Sequence, residues 1–278
     1  MTVVRVPASS ANLGPGFDAL GVALDVYAEM GIVAESTDSE ALTKRVDEHH
    51  PAWIAFDAAG GTGEVWVRSP IPIGRGLGFS GAMRVGGAAL AVVQRGGSEA
   101  LAERHAEVLA ITADLEGHAD NVAASLYGGV VATAGTHAVR IDTPLRPDVV
   151  LWIPEETTLT AASRTALPAS VSFEDAVFNV GRSSLLVAAL AGGDIAALSE
   201  ATQDRLHQQR RLVAVPASGA ALDAGIAAGA WCGWLSGSGP TVAFLTGAGE
   251  GATLAAGLPI GGGARVVAID QHGTTLVD

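Results

Sequence analysis

Apolar and polar positions alternate along this chain with two periods, and glycine-rich runs separate them. Residues 3–6 alternate with period two and predict a strand. The following residues 7–18, rich in Ser, Pro and Gly, predict a structured loop. Residues 20–35, dense in Val, Ala and Ile, predict one long strand or a bent pair, and residues 36–51 a polar, acidic excursion. Further strands are expected at 52–57 and 64–67. A helical period then takes over: Met83, Val85, Leu90 and Val93 share a face of a helix over 81–94. A second helix is predicted over 98–115 with Ser98 as its N-cap, and a third over 122–127, stopped by Gly128 and Gly129.

Strands at 130–133, 138–141 and 149–153 come next. A loop over 154–168 leads to helices at 172–191, 194–202 and 219–228. Strands at 231–235 and 242–245 flank a Gly-Ser-Gly-Pro turn, then a short helix at 251–257 and a strand at 265–269 complete the pattern. No repeat occurs and no strict βαβ period holds, so an α+β architecture is expected. Pro144 and Pro147 mark the favoured boundary, dividing the chain into residues 1–145 and 146–278.

Composition narrows the function classes. With 278 residues, 49% of them hydrophobic, the chain builds a core without staples, and its one cysteine, Cys232, forms no internal disulfide. A net charge of −13 argues against nucleic-acid or anionic-membrane partners, which require clustered Lys and Arg. Lys44 is the only lysine, so any cationic chemistry falls to arginine, backbone amides or a metal. The N-terminus lacks the pattern of a signal peptide. Residues 224–249 carry no charge, but their seven glycines and the Ser236–Pro240 turn do not suit a spanning helix. A soluble, cytoplasmic protein is the expectation.

Four segments carry candidate chemistry. In Gly74-Arg75-Gly76-Leu77-Gly78-Phe79-Ser80-Gly81, closely spaced glycines let backbone N–H groups converge on an anion, and the following helix adds its positive end. The loop lacks the Lys-Ser/Thr of a Walker A motif, and a tight turn with close packing would use the same glycines. In Glu116-Gly-His-Ala-Asp-Asn121 a carboxylate and an amide could meet a metal and a substrate hydroxyl, although Asp120 or Asn121 also suits a helix cap. Thr160 and Arg164 share a face if that segment is helical. Arg210 and Arg211 follow His207, where solvated surface charge is the simpler reading. The histidines show no metal-ligand spacing, with His118 alone in a suggestive setting.

In this order, the segments Pro7-Ala-Ser-Ser-Ala-Asn-Leu-Gly-Pro-Gly-Phe-Asp18, Arg75–Ser80, Glu116–Asn121 and Leu235-Ser-Gly-Ser-Gly-Pro-Thr241 closely resemble the GHMP small-molecule kinases. The first segment, with Phe178-Asn-Val-Gly-Arg182 and Arg205-Leu-His-Gln208, resembles the homoserine kinase branch. The resemblance spans residues 3 to about 245. It implies two α+β lobes, S5-like and ferredoxin-like, with the active site between them, and it admits a homodimer. It implies ATP and Mg²⁺, with L-homoserine as the small-molecule substrate, phosphorylated on its hydroxyl for threonine synthesis. Pro72 and residues Gly74 to Gly81 would bind ATP, and Ser80 and Glu116 the metal. Asn12, Asp18, Thr160, Arg164 and Arg211 would hold the amino acid, Asp18 opposite its ammonium and the two arginines on its carboxylate. Asn121 would orient the hydroxyl, since a loose phosphoryl-transfer transition state needs alignment and charge neutralisation more than a strong base.

The chain departs from the family pattern in three ways. Phe79 stands where a serine is usual, Arg84 on the next helical turn is uncommon, and the segment 36–64, where the adenine pocket would be built, is short. Two other readings therefore stay open: a GHMP kinase acting on another small hydroxylated acid, and a catalytically silent nucleotide-binding relative. An amino-acid acceptor needs both Asp18 and the arginines; a hydroxy acid needs only the arginines.

Overall fold

The computed structural model describes residues 2–35, 44–157, 160–165 and 167–277, with residues 160–162 as backbone only. It contains two antiparallel sheets joined through a common core. The first runs in the order β10-β1-β2-β4-β5, where β1 is Val3–Ala11, β2 Leu20–Ile32, β4 Val130–Ala134, β5 His137–Ile141 and β10 Thr275–Val277. Strand β3, Val65–Arg68, pairs with the far half of β2. The second sheet has the order β7-β8-β6-β9, from Cys232–Leu235, Val242–Thr246, Asp148–Pro154 and Gly262–Val267.

Helix α1, Pro51–Ala58, stands where the apolar run 52–57 suggested a strand. Pro51 occupies its first turn, His50 Nδ1 accepts from the Ala52 amide at 3.2 Å, and Ala52, Ala55 and Phe56 are buried at helical spacing. The expected loop at 7–18 begins later, because β1 continues to Ala11 against β2 after a register shift at Pro7/Ala8. Helix α2, Phe79–Gly96, buries a small-residue face against β1 and β2. The single helix expected over 98–115 is two, α3 (Ala100–Glu103) and α4 (His105–Glu116), broken at Arg104. Ser98 does not cap either of them; Glu99 and Arg104 hold the N-cap positions without side-chain bonds. Helix α5, Asp120–Tyr127, completes the layer over the first sheet.

A short helix, α6 (Thr160–Thr165), interrupts the loop expected at 154–168. Ser172 caps α7, Phe173–Gly192, by accepting from the Asp175 amide at 3.0 Å. Helices α8 (Ile195–Ala201), α9 (Gln208–Leu212) and α10 (Pro216–Ala227) follow, then α11 (Gly251–Ala256). Helices α10 and α11 cover the second sheet around Trp152, Val242 and Phe244. None of the described helices is long and apolar enough to cross a membrane. The sheets meet at the ends of β1 and β7, where Trp234 donates to Ser10 Oγ at 2.9 Å and Ser10 and Ser236 hydroxyls lie 2.7 Å apart.

Candidate active site

The four sequence segments converge on one open cleft where the sheets meet. The floor at one end is the Gly74–Gly78 turn. Gly74, Gly76 and Gly78 all have φ near +70°, a region closed to most side chains. Space demands glycine as well. A Cβ on Gly76 would sit 2.2 Å from the Ser236 carbonyl oxygen, and one on Gly78 would sit 2.1 Å from Ser9 Oγ. The turn is pinned by Ser236 Oγ donating to Gly76 O at 2.6 Å and by the Ser9 amide donating to Leu77 O. Gly78 is the N-cap of α2 and supplies no side-chain cap, so the positive pole of an 18-residue helix faces the cleft.

Residues of the predicted loop have distinct places. Pro72, Gly74, Gly76, Gly78, Phe79 and Ser80 line the cleft, while the Leu77 side chain is buried. Arg75 donates to the carbonyl of Pro154 at the end of β6, tying the loop to the second sheet. A Cβ on Gly81 would sit 3.2 Å from Asn121 Cβ. Phe79 meets the His50 ring edge-on, 6.0 Å between centroids. The adenine pocket expected within 36–64 lies partly outside the described residues, which omit 36–43.

Ser80 Oγ donates to Glu116 Oε2 at 2.9 Å. A hydroxyl and a carboxylate at the mouth of an anion cradle form the hard-oxygen set that magnesium takes together with phosphate oxygens, so these residues fit that ion. Arg84 also pairs with Glu116 Oε2. On the adjoining wall, Ser9 Oγ donates to Asn121 Oδ1 at 2.9 Å. That bond fixes the amide and leaves Nδ2, a donor, as the group that Asn121 can turn toward the cleft.

At the other end Asp18 and Arg164 form a bidentate pair, both contacts at 2.8 Å. The Asp18 hydrogen bond raises the pKa of Arg164, with burial opposing. Asp18 has φ +55° and its amide donates to Asn12 Oδ1 at 3.1 Å; Asn12 Nδ2 donates to Gly237 O at 2.9 Å. The Asn12 amide thus clamps the Asp18 loop to the Gly237 turn. Arg211 is buried, donates to Gly237 O at 3.1 Å, and burial, then the like charge of Arg164, lowers its pKa. Arg210 is exposed. The side chain of Thr160 lies outside what the structure describes. The Phe17 ring receives both guanidinium groups, Arg164 at 5.4 Å and Arg211 at 5.2 Å.

The sequence marks His118 and Asp120 without joining them, and does not single out Asp204. His118 Nδ1 lies 2.7 Å from Asp120 Oδ1, and Asp120 also accepts from the Asn121 amide at 2.7 Å. Burial works against a charged His118, but the hydrogen bond and the charges of Asp120 and Asp18 outweigh it, raising the pKa. Ligand atoms of Asp18, His118 and Asp120 come within 4.8 Å of one another, with the Arg164 guanidinium already on Asp18. Behind the Asp18 loop, buried Asn179 donates to Pro15 O and Asp204, and His207 Nε2 contacts Gly14 O at 2.8 Å. The segments 178–182 and 205–208 therefore brace the loop rather than line the cleft. The spacing Asp204-x-x-His207 would have suggested such a brace had Asp204 been singled out.

Comparison with known proteins adds three findings. The family models described as GHMP kinases N terminal domain and GHMP kinases C terminal match residues 42–129 and 186–262. The chain is similar to the homoserine kinases of Thermus thermophilus, 40% identical over 88% of this chain and 87% of that protein, and Moorella thermoacetica, 40% identical over 89% and 88%. Its fold is similar to the crystal structure of homoserine kinase from Cytophaga hutchinsonii, with a TM-score of 0.82 and 26% identity over 99% of this chain and 97% of the other.

Proposed function

The chain belongs to the GHMP kinases, and from that membership we propose that it transfers the γ-phosphoryl group of ATP to the hydroxyl of L-homoserine. The product is O-phospho-L-homoserine, an intermediate of threonine synthesis. One observation carries the reading: an uncapped helix with its glycine turn and an acid–arginine set occupy opposite ends of the same cleft. The first suits a polyphosphate, the second a zwitterion.

On this reading the amides of residues 74–81, with Pro72 alongside, bind the nucleotide phosphates, which explains how a kinase works without a loop lysine. Ser80 and Glu116 would hold Mg²⁺, which when bound neutralises phosphate charge. The amino acid enters between Asp18 and Arg164. Its ammonium takes the carboxylate of Asp18 and its carboxylate takes Arg164 and Arg211, so one internal ion pair gives way to two intermolecular ones. Asn12 holds the Asp18 loop, and Thr160 stands at the start of α6, one helical turn before Arg164. Asn121 Nδ2 donates to the reacting oxygens and aligns the hydroxyl. The hydroxyl oxygen attacks the γ-phosphorus as its bond to ADP breaks, and the proton leaves late, to phosphate or solvent.

We divide the chain into lobes at residues 1–145 and 146–278, with β10 returning to the first sheet. On this reading the protein works in the cytoplasm, with a small molecule as its partner. An ADP-release assay with Mg-ATP and L-homoserine, D-homoserine, L-serine, mevalonate and pantoate tests the reading. Turnover confined to L-homoserine supports it. Preference for a hydroxy acid without an ammonium group removes Asp18 from its role and replaces the substrate.

A further inference from the structure

Arg84 follows Ser80 by one turn of α2, so the two side chains leave the same face of the helix. Its guanidinium pairs with Oε2 of Glu116, the same oxygen that accepts the Ser80 hydroxyl. The pair is largely withdrawn from water, with 19% of the Arg84 side chain and 11% of the Glu116 side chain exposed. Arg84 Nε is buried without a hydrogen-bond partner, so the guanidinium depends on Glu116 for its compensation. Arg84 itself is not among the residues that line the cleft. It reaches Glu116 from the helix side, whereas Ser80 and Glu116 both face the open space.

The oxygen assigned above to the metal is thus already neutralised by a cation of the chain's own. A second cation meets a carboxylate with little net charge to offer, and a fixed positive group next to it. Phosphate oxygens restore the negative charge that a divalent ion needs.

We propose that Arg84 is a resident counter-cation that competes with the divalent ion for Glu116, so that the metal site is closed in the nucleotide-free protein and opens when the ion arrives on nucleotide phosphates. The proposal rests on the reading of Ser80 and Glu116 as metal ligands. It makes Arg84 a positioning residue: it holds Glu116 against Ser80 until the metal replaces it, and it sets how much metal the protein binds on its own.

Mn²⁺ alone, titrated into the nucleotide-free protein and followed by EPR, reads this directly. The wild type should show no site that Glu116→Gln abolishes. Arg84→Met should gain one, tighter than any wild-type binding by about tenfold or more, the scale of one opposing charge removed from a partly buried carboxylate. Adding Glu116→Gln to Arg84→Met should remove it, and Arg84→Lys, which keeps the charge, should behave as wild type. A tight Mn²⁺ site in the wild type that Glu116→Gln abolishes overturns the proposal, and this arm needs no Arg84 variant to fold. So does Arg84→Met binding Mn²⁺ no better than wild type, with Arg84→Gln as the second variant. Turnover of L-homoserine with unchanged Mn²⁺ binding sinks the Arg84 role alone. The predicted Mn²⁺ pattern with no turnover sinks the substrate assignment alone.

Discussion

At the glycine-turn end of the cleft, where we place the phosphates, the groups on offer are backbone, and their geometry is set by what is missing: Gly76 and Gly78 hold positive φ where a Cβ would collide with Ser236 and Ser9. At the other end, where we place the acceptor, the groups are side chains, and Asp18 and Arg164 are held by each other across the space between a loop and α6. The first end is preorganised and tolerates no added atom. The second is poised by an ion pair that is half open to water, with the Arg164 side chain 44% exposed, so its partner can be exchanged. A kinase has reason for both: the phosphates need a fixed electrostatic frame, and the acceptor needs charges that are satisfied before it arrives.

The sharpest way to break this contrast is a methyl group at the phosphate end. Gly76→Ala should lower kcat/KM by about a hundredfold through displacement of the loop. It should also lower the unfolding free energy by about 1–3 kcal/mol through overlap with a backbone carbonyl that cannot move aside. Steady-state kinetics and urea unfolding check both; wild-type values would mean that the loop is slack.

At the acceptor end, Arg164→Ala should raise KM for L-homoserine by about tenfold to a hundredfold, the scale of lost charged hydrogen bonds, and leave KM for ATP within about twofold. An equal rise in both would show that the two ends are not separable. Glu116→Gln lies between them and should raise the Mg²⁺ concentration for half-maximal rate by about tenfold; unaltered metal dependence removes Glu116 from the metal site.

The smallest effect concerns His118. Its pKa is raised above the ordinary 6.5 in the folded protein, so its contribution to stability is full below that value and is lost as pH rises through the folded pKa. Urea midpoints of wild type and His118→Gln should therefore differ most in acid and converge in base. A gap that widened with pH would mean that burial, not Asp120, dominates at His118.

The contrast between the ends also explains what could be read from the chain. The glycine turn and α2 were legible because glycine spacing and a 3.6 period are local signals, and so was the convergence of four segments through their resemblance to a family. The helix at 51–58 has no clear sequence signature because Ala-Trp-Ile-Ala-Phe suits either period; Pro51 and the His50 cap decide it. The Asp18–Arg164 pair, 146 positions apart, and the Ser9–Asn121 bond, 112 apart, have no local trace. Asp120 looked like a helix cap; its side chain accepts from the Asn121 amide as a cap might, yet it also holds His118. Arg84 was visible as an oddity, but only the fold brings it to Glu116.

We propose that Arg164 serves the carboxylate of an amino-acid acceptor whose hydroxyl is phosphorylated in this cleft. Its most direct test is kcat/KM of wild type and Arg164→Ala on L-homoserine and on the decarboxylated analogue of L-homoserine. Wild type should lose at least as much on the analogue as Arg164→Ala loses on L-homoserine, since Arg211 shares the carboxylate, and the variant should lose less on the analogue than wild type does. Additive losses, or a wild type indifferent to the carboxylate, would contradict it.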